Sequence, residues 1–283
     1  MFDGEIVNCD SIQLFRHFNI GAAKLSLHDR RGIPHHLIDS LNPDVLMTAG
    51  EYARLAREWL KNITDRQKLP IVCGGTGFYS KALFEGLSPS PQRDEPLRVR
   101  FNLRESNRPG SLHRLLRRLD PSAARRIQPA DINKTVRALE IRILAGITGA
   151  RQMAGKQDRL EGYKVLKIGL HPPRKLLCEK INARAAKMLH GGLLDEVKGI
   201  LELGYPASLK PFESIGYRET LRHLNGEISL ENAIEETQIH SRQYAKRQMT
   251  WFRRDAEIAW IEEFGSSPQA AATATNLVKA FLS

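Results

Sequence analysis

The stretch Gly4-Glu-Ile-Val-Asn-Cys-Asp-Ser-Ile-Gln-Leu-Phe15 decides the fold, because it places an acidic residue at the end of a short apolar run. Residues 6–9 are mostly apolar and predict a buried strand, and Asp10 follows that strand directly. A carboxylate in this position can project into the crevice at the carboxyl ends of a parallel sheet, where α/β proteins bind ligands. An alternative is that Asp10 only caps a helix that begins near Ser11.

A second apolar strand is predicted at Leu69–Cys73, and it leads into the glycine-rich turn Gly74-Gly-Thr-Gly77. Such a turn before a helix exposes backbone N–H groups, which suits an anion or a closely approaching substrate. Glycines also occur in ordinary turns that bind no ligand, so a binding turn and a purely structural turn both remain possible interpretations. Between the two strands, a capping box at residues 48–51 begins a helix with an apolar stripe at helical spacing.

Length and composition exclude several classes of protein. A chain of 283 residues corresponds to about two domains. The three cysteines (Cys9, Cys73 and Cys178) lie far apart, so neither a disulfide framework nor a zinc site is expected. No apolar run approaches the roughly 20 residues that span a bilayer, and we expect no signal peptide. The sequence therefore predicts a cytoplasmic protein with no membrane partner, which we expect to be a monomer.

Positive charge is concentrated in one segment. The net charge is +11, and residues 93–159 hold 16 Lys and Arg against 7 Asp and Glu. Such a block favours a polyanion partner such as nucleic acid, although a solvated helical surface would also carry it. Residues 86–96 are rich in Pro and Ser and mark a domain boundary. Beyond them the sequence predicts helices at residues 96–105, 112–119, 121–127 and 132–145.

Two later helices carry cations at helical spacing. Lys180 and Arg184 lie one turn apart, so they could grip a diphosphate or be ordinary exposed charges. A long helix predicted at residues 230–254 ends with cations interleaved with Trp251 and Phe252. Basic and aromatic residues together suit phosphate contacts and the stacking of an unpaired base. The alternatives are that cations simply favour helix C-termini and that Trp251 belongs to the core.

Taken together, six segments resemble the tRNA dimethylallyltransferase family. They follow the family's order over nearly the whole chain: residues 4–15, Ile33-Pro-His-His-Leu-Ile-Asp39, Ile71-Val-Cys-Gly-Gly-Thr-Gly-Phe-Tyr79, Arg137-Ala-Leu-Glu140, Gly216-Tyr-Arg218 and Ala245-Lys-Arg-Gln-Met-Thr-Trp-Phe-Arg253. The resemblance implies an α/β fold, with a P-loop-kinase-like parallel sheet flanked by helices. It implies that residues 1–92 and 160–283 form the catalytic core with the C-terminal helices. Residues 93–159 would form a basic helical insertion domain that contacts tRNA.

The family's phosphate loop, Gly-x-x-x-x-Gly-Lys-Ser/Thr, has no match in these 283 residues. The nearest string, at residues 149–157, has one residue too many between its glycines and a glutamine in place of the hydroxyl. We therefore expect that the family's first strand, phosphate loop and first helix are missing. Three hypotheses follow: an enzyme whose true start lies upstream, a catalytically impaired tRNA-binding protein, or an enzyme acting on free adenine nucleotides. The basic insertion argues against the third, since a mononucleotide does not need it.

The resemblance implies transfer of a dimethylallyl group from dimethylallyl diphosphate to N6 of adenosine 37, next to the anticodon, in tRNAs reading codons that begin with U. An amine on an aromatic base is a poor nucleophile, so a general base must take its proton, and Asp10 is the candidate. Arg184, Lys180 and Mg²⁺ are assigned to the donor diphosphate. The family has Arg where Lys180 stands, and Lys does not bind in a bidentate manner.

The target base must leave its stack, which favours the single-stranded loop of a tRNA anticodon stem-loop as partner. Three groups of residues match the family's tRNA-contacting positions. Around the first strand and in the insertion they are Asp10, Ser11, Ile12, Gln13, Thr76, Arg98, Asn133, Lys134, Thr135, Val136 and Arg137. In the C-terminal half they are Glu213, Ser214, Ile215, Gly216, Tyr217, Arg218, Lys246, Arg247, Gln248, Met249, Thr250, Trp251, Phe252 and Arg253.

Overall fold

The computed structural model of the chain describes residues 2–153 and 157–283, and within residues 147–153 it describes the backbone. The string at residues 149–157 lies partly outside the described residues. The chain divides into two compact units, one of Met1–Phe84 with Leu160–Ser283 and the other of Glu85–Arg159. The first boundary thus falls earlier than residue 92, where the sequence analysis placed it.

The predicted α/β class, with parallel strands and a helical insertion, is confirmed. None of the described helices is long and apolar enough to cross a membrane. In chain order the elements are β1 (Gly4–Asn8), β2 (His35–His36), α1 (Ala49–Asp65), β3 (Leu69–Cys73), α2 (Gly77–Phe84), α3 (Glu95–Asn107), α4 (Ser111–Leu119), α5 (Pro121–Arg126), α6 (Ile132–Met153), β4 (Lys167–Leu170), α7 (Arg174–Met188), a π-helical turn (Leu189–Leu193), α8 (Leu194–Glu202), a 3-10 turn (Lys210–Glu213), α9 (Tyr217–Leu224), α10 (Leu230–Phe252), β5 (Ile258–Ile261) and α11 (Pro268–Leu282).

In the first unit, β1 is the central strand of a parallel sheet with the order β2-β1-β3. Helix α1 begins at the predicted capping box, in which Thr48 and Glu51 satisfy each other's backbone N–H groups. Strand β3 is less buried than predicted, since Ile71 is 39% exposed. The reason is that β3 lies at the edge of this sheet within the described part of the chain, whereas β1 is paired on both sides. A separate parallel pair joins β4 and β5.

A buried carboxylate fixes the register of the first sheet. Glu5 is 2% exposed and accepts hydrogen bonds from the Arg66 guanidinium, at 2.5 and 2.8 Å, and contacts His36 Nε2 at 2.7 Å. The His36 ring in turn stacks on Trp59 of α1, with the ring centroids 3.8 Å apart. Hydrogen bonds from Arg66 and His36 hold the pKa of Glu5 at about 2. The three elements β1, β2 and α1 are therefore tied together at one point, so that the end of β1 has a fixed position.

In the second unit, helices α3 to α6 surround a small apolar core, and no strand lies among its described residues. Its buried apolar side chains are Phe101, Leu112, Leu116, Ala123, Ala124, Val136 and Leu139. Helices α3 and α5 both begin at aspartates whose side chains accept backbone N–H groups, Asp94 and Asp120. Because the apolar faces of the helices pack on this core, most of the basic residues that the structure describes in this unit are exposed, whereas Arg98, Arg137 and Arg142 are half-buried.

Candidate active site at the end of the first strand

Asp10 lies at the carboxyl end of β1, and its two carboxylate oxygens have different surroundings. Oδ1 accepts the backbone N–H groups of Ile12, at 2.8 Å, and of Gln13, at 3.2 Å. No described residue donates a hydrogen bond to Oδ2. The residues after Asp10 form a turn rather than a helix, because this capping is not followed by helical hydrogen bonds. One oxygen therefore caps the turn, and the other is left open; a role of Asp10 in ligand binding stays a prediction.

Asn8, which the sequence analysis did not assign, positions the Asp10 backbone. Its side-chain amide donates to the carbonyl oxygens of Asp10, at 3.0 Å, and of Leu37, at 2.9 Å, while its Oδ1 accepts Asp10 N–H at 3.1 Å. Tyr52 of α1 donates its hydroxyl to the Asn8 carbonyl at 3.0 Å. Asn8 is 2% exposed. The only signal for this role in the sequence is that Asn8, an amide residue, interrupts the apolar run of residues 6–9.

The glycine-rich turn after β3 lies directly against the end of β1. Thr76 N–H donates to the Cys9 carbonyl at 3.1 Å, and the Thr76 hydroxyl accepts Ser11 N–H at 3.1 Å. A Cβ at Gly74 would overlap the backbone carbonyl group of Cys9. The absence of a side chain at Gly74 therefore allows its backbone to lie against the backbone of Cys9. Thr76 holds Ser11, the residue after Asp10, in place.

The C-terminal half of α10 packs on the same turn. Gln248 Nε2 donates to the Gly75 carbonyl at 2.9 Å. The Trp251 indole lies against Gly77, where a Cβ would come within 2.5 Å of the ring. Trp251 is nonetheless 39% exposed, so it is not a core residue. The structure thus brings two predicted residues of α10 to the turn that borders Asp10.

Replacing Gly74 with Ala is expected to lower the free energy of unfolding by about 1–3 kcal/mol, because the added methyl group overlaps backbone that cannot rotate away. The matched control is Gly199→Ala in α8, where an added Cβ meets nothing within 4 Å. Thermal unfolding without substrate measures both effects. Equal Tm values for the two variants would show that the turn does not need to contact β1 this closely.

In the turn before α9, the side chain of Tyr217 supports a neighbouring loop. Tyr217 was expected to contact tRNA, but its side chain is fully buried. Its hydroxyl donates to Glu196 at 2.6 Å and accepts Ala22 N–H at 3.3 Å. Glu196 also accepts Ile20 N–H at 2.8 Å, and Gln13 donates its amide to the Ala22 carbonyl at 3.1 Å. Tyr217 and Glu196, which was not predicted, therefore hold the loop whose Ala22 carbonyl binds the Gln13 amide. A contact of Tyr217 with tRNA stays a prediction.

The other predicted residues of this turn differ in exposure. Glu213 and Arg218 are exposed, and Glu213 forms an ion pair with Lys210. Ser214 donates its hydroxyl to the Pro211 carbonyl at 2.5 Å, while Ile215 is half-buried and Gly216 is buried. Of the six predicted positions from Glu213 to Arg218, only Glu213 and Arg218 are exposed.

The two predicted diphosphate ligands lie on the exposed side of α7. The Lys180 ammonium is 3.8 Å from the centroid of the Phe264 ring, a cation–π contact. No residue in the described part of the chain forms an ion pair with Arg184. Helix α7 packs on α10 through Asn182, whose side chain accepts a hydrogen bond from Arg242. Arg184 therefore lies on the helix that packs on α10, and the C-terminal half of α10 contacts the turn beside Asp10. Among the described residues, no hydrogen bond or ion pair joins Arg184 to Asp10.

The predicted segment at the end of α10 exposes most of its polar residues. Five residues are exposed and three are half-buried. Arg253 donates to His171, which follows β4, at 3.0 Å. The exposed residues are Lys246, Arg247, Thr250, Trp251 and Arg253, and the half-buried ones are Gln248, Met249 and Phe252.

In the second unit, two predicted arginines share one buried carboxylate. Glu140 is fully buried and accepts both Nε and Nη2 of Arg98 at 2.8 Å, together with Nη1 of Arg137. It also accepts the backbone N–H of Asp94 at 2.8 Å. The guanidinium groups are partly exposed, with 19% and 31% of the side chains accessible. Each can therefore offer remaining N–H donors to an anion.

The neighbouring residues in the first turns of α6 divide by burial. Asn133 and Lys134 are exposed, and Lys134 forms an ion pair with Asp131 at 2.6 Å. Thr135 and Val136 were expected to contact tRNA, but both side chains are buried against the helical core. Contact of these two residues with tRNA stays a prediction, since the family match gives positions along the helix but not the direction of each side chain.

The family model described as IPP transferase matches residues 13–255. The tRNA dimethylallyltransferase of Solibacter usitatus is 52% identical over 281 residues, which cover 99% of this chain and 92% of that protein. The crystal structure of the tRNA delta(2)-isopentenylpyrophosphate transferase of Staphylococcus epidermidis matches with a TM-score of 0.68 and 32% identity, covering 100% of this chain and 92% of that one.

A eukaryotic dimethylallyltransferase, at 24% identity and a TM-score of 0.77, shares the fold over 99% of this chain and 74% of its own. The resemblance found in the sequence is thereby confirmed, since a family model, a relative and the solved structures agree. The chain belongs to the IPP transferase family.

Proposed function

We propose that this protein transfers a dimethylallyl group from dimethylallyl diphosphate to N6 of an adenosine in tRNA. Family membership and 52% identity to a tRNA dimethylallyltransferase support the reaction. The finer proposal is that the acceptor is adenosine 37, next to the anticodon, in tRNAs that read codons beginning with U, and that the reaction takes place in the cytoplasm. The observation that carries the proposed transfer reaction is the open Oδ2 of Asp10 at the carboxyl edge of a parallel sheet.

In the proposed reaction, N6 attacks the allylic carbon as the bond from that carbon to the diphosphate oxygen breaks. N6 is conjugated with the purine ring and is a poor nucleophile, so its proton must leave as the C–N bond forms. Asp10 Oδ2 accepts that proton, a step that contributes about 10²–10⁴-fold in rate when the base is well placed. The two N–H groups bound to Oδ1 fix the plane of the Asp10 carboxylate, so that Oδ2 is already oriented when the adenine of the tRNA arrives.

Mg²⁺ is proposed as a partner of the donor diphosphate, whose developing charge it would neutralise together with Arg184 and Lys180. Mg²⁺ commonly keeps several waters and binds through substrate phosphates with few protein carboxylates. Among the described residues, one group of three side chains is close enough to share an ion: Glu219, Glu236 and His240. Arg218 forms an ion pair with Glu219, and Arg222 forms one with Glu236. Because both carboxylates are already paired with arginines, this group does not suit a metal ion.

The proposed RNA partner is the anticodon stem-loop. In the first unit, the exposed residues at the end of α10 and the turn after Asp10 would contact the loop, and Arg218 would contact a phosphate. In the unit of residues 85–159, Arg98, Lys134 and Arg137 would contact phosphates of the same RNA. The concentration of positive charge in residues 93–159, 16 Lys and Arg against 7 Asp and Glu, supports a polyanionic substrate such as RNA.

Replacing both Lys246 and Arg253 with Ala is expected to weaken binding of the stem-loop and to flatten its salt dependence. Each lost phosphate contact lowers the slope of log K against log salt concentration by about 0.7–0.9. A matched control removes two exposed lysines elsewhere, Lys198 of α8 and Lys279 of α11. Titrations by fluorescence anisotropy at several salt concentrations measure the slopes. An unaltered slope in the Lys246 and Arg253 variant would exclude these residues from the interface.

Product analysis tests the function. The protein is incubated with dimethylallyl diphosphate, Mg²⁺ and either an anticodon stem-loop or AMP, and the digested nucleosides are identified by mass spectrometry. We expect N6-dimethylallyladenosine at the position next to the anticodon, and none on AMP. Binding of the stem-loop without transfer would instead support the second function, a tRNA-binding protein with impaired catalysis. Transfer to AMP but not to RNA would contradict both.

A further inference from the structure

Lys24 is a buried cation in the connection between β1 and β2, and the sequence analysis gave it no role. Only 4% of its side chain is exposed. Its ammonium donates to the Phe15 carbonyl at 2.5 Å, to Asp39 Oδ1 at 2.5 Å and to Asn19 Oδ1 at 3.2 Å. An ammonium has three N–H donors, and these three oxygens use all of them. Lys24 is therefore not available to a phosphate of the substrate.

Asp39, the ion-pair partner of Lys24, is the last residue of the segment at residues 33–39, one of the six that carry the family resemblance. Its φ is 52°, in the left-handed region that most residues other than glycine avoid. Its second carboxylate oxygen, Oδ2, lies 3.7 Å from Arg30 Nη2. The unfavourable backbone conformation of Asp39 is therefore held by cations on both oxygens of its side chain.

Backbone hydrogen bonds lead from Asp39 to the candidate base. Asp39 N–H donates to the Gln13 carbonyl at 3.1 Å, and Gln13 N–H donates to Asp10 Oδ1 at 3.2 Å. Lys24 binds both sides of this connection, because its other main partner is the carbonyl of Phe15, two residues after Gln13. A displacement of Asp39 would therefore shift the Gln13 peptide, which supplies one of the two N–H groups that orient the Asp10 carboxylate.

We propose that Lys24 and Asp39 are positioning residues that act through Gln13 on the Asp10 carboxylate and keep its Oδ2 oriented toward N6 of the acceptor adenine. This inference rests on the proposed function, since the orientation of Oδ2 matters only if Asp10 takes a proton. It assigns the connection between β1 and β2 a role in the rate of the chemical step rather than in RNA affinity. A misplacement of about 1 Å can lower a rate by about 100-fold, so a small displacement of this loop is sufficient.

Two substitutions break the ion pair from either side. Lys24→Met removes the ammonium but keeps the length of the side chain, and we expect the single-turnover transfer rate to fall about 10–100-fold, with RNA affinity within about threefold of wild type. Asp39→Asn removes the partner charge and keeps a residue type that tolerates positive φ, so it serves as the folded variant if Lys24→Met does not fold. The control is Lys61→Met in α1, whose exposed lysine pairs with Asp65.

A double-mutant cycle decides whether the pair acts through Asp10. If it does, adding Lys24→Met to Asp10→Asn lowers the rate by less than about threefold further, because Asp10→Asn has already removed the base. A residue that only stabilises the fold would instead lower the rate by the same factor in both backgrounds. Full multiplication of the two losses, or a loss of RNA affinity as large as the loss of rate, would overturn the inference.

Hydrogen exchange of single amides, followed by NMR without substrate, gives a readout that does not require transfer. We expect faster exchange at the Gln13 and Asp39 amides in Lys24→Met and Asp39→Asn, and exchange as in wild type in Lys61→Met. Unchanged exchange at these two amides in both variants would contradict the inference. Should wild type bind RNA without transfer, the proposed reaction fails, but the exchange comparison still decides whether Lys24 and Asp39 hold the Gln13 peptide.

Discussion

Asp10→Asn is expected to lower the rate of dimethylallyl transfer by about 10²–10⁴-fold while leaving affinity for the stem-loop nearly unchanged. The substituted side chain keeps its shape, and its carbonyl oxygen can still accept the N–H groups of Ile12 and Gln13. What it loses is the ability to take a proton from N6. Single-turnover rates with the RNA bound beforehand measure the chemical step, and anisotropy titrations measure affinity.

The control for this variant is Asp44→Asn, since Asp44 is an exposed aspartate in the connection before α1. It removes the same charge without touching the end of β1. A transfer rate for Asp10→Asn within threefold of the control would remove Asp10 as the general base. A parallel loss of RNA affinity would show instead that Asp10 acts mainly in binding.

Glu140→Gln is expected to destabilise the unit of residues 85–159 by about 3–5 kcal/mol, because two guanidinium groups lose the buried negative charge that they share. Arg98 and Arg137 would then adopt several conformations, so RNA affinity should fall as well. Hydrogen exchange within this unit, followed by mass spectrometry, reports the local loss. The control is Glu95→Gln, whose exposed carboxylate pairs with Arg93. Equal exchange in the two variants would contradict a structural role for Glu140.

The same carboxylate predicts a pH dependence. Burial raises the pKa of Glu140, but hydrogen bonds from Arg98 and Arg137 outweigh it and hold the pKa at about 2. Because the folded pKa lies below the ordinary value of 4.5, ionised Glu140 contributes stability above pH 4.5, which is lost as pH falls toward 2. The stability difference between wild type and Glu140→Gln should therefore shrink on going from pH 7 to pH 3. A constant difference would show that the ion pairs do not stabilise the fold.

Much of the fold is predictable because its elements carry local signals. The apolar run of β1 and the capping box before α1 identify those elements, and the helical insertion follows from its periodicity. Strand β2 has only two residues, His35 and His36, which is too short for any periodic pattern. The half-exposure of β3 also escapes the sequence, since an apolar run does not reveal whether a strand lies at an edge.

The motifs identify several residues that lie around the candidate site, but not the contacts that support them. The motifs identify Asp10, Thr76, Gln248 and Trp251, and the structure places these residues around the glycine-rich turn at residues 74–77. The motifs do not reveal the roles of Asn8, Glu140 and Glu196, because each depends on a partner distant in sequence. Conversely, Tyr217, Thr135 and Val136 match family positions but are buried, since the direction of a side chain is fixed by tertiary packing.

The central claim is that the open oxygen of Asp10 takes the proton of an extruded adenine. A crystal structure of the protein with an anticodon stem-loop and an unreactive analogue of the diphosphate donor tests it most directly. The account predicts the adenine outside its stack, with N6 about 2.6–3.2 Å from Asp10 Oδ2. An adenine that remains stacked in the anticodon loop, or an N6 bound to a different side chain, would contradict it.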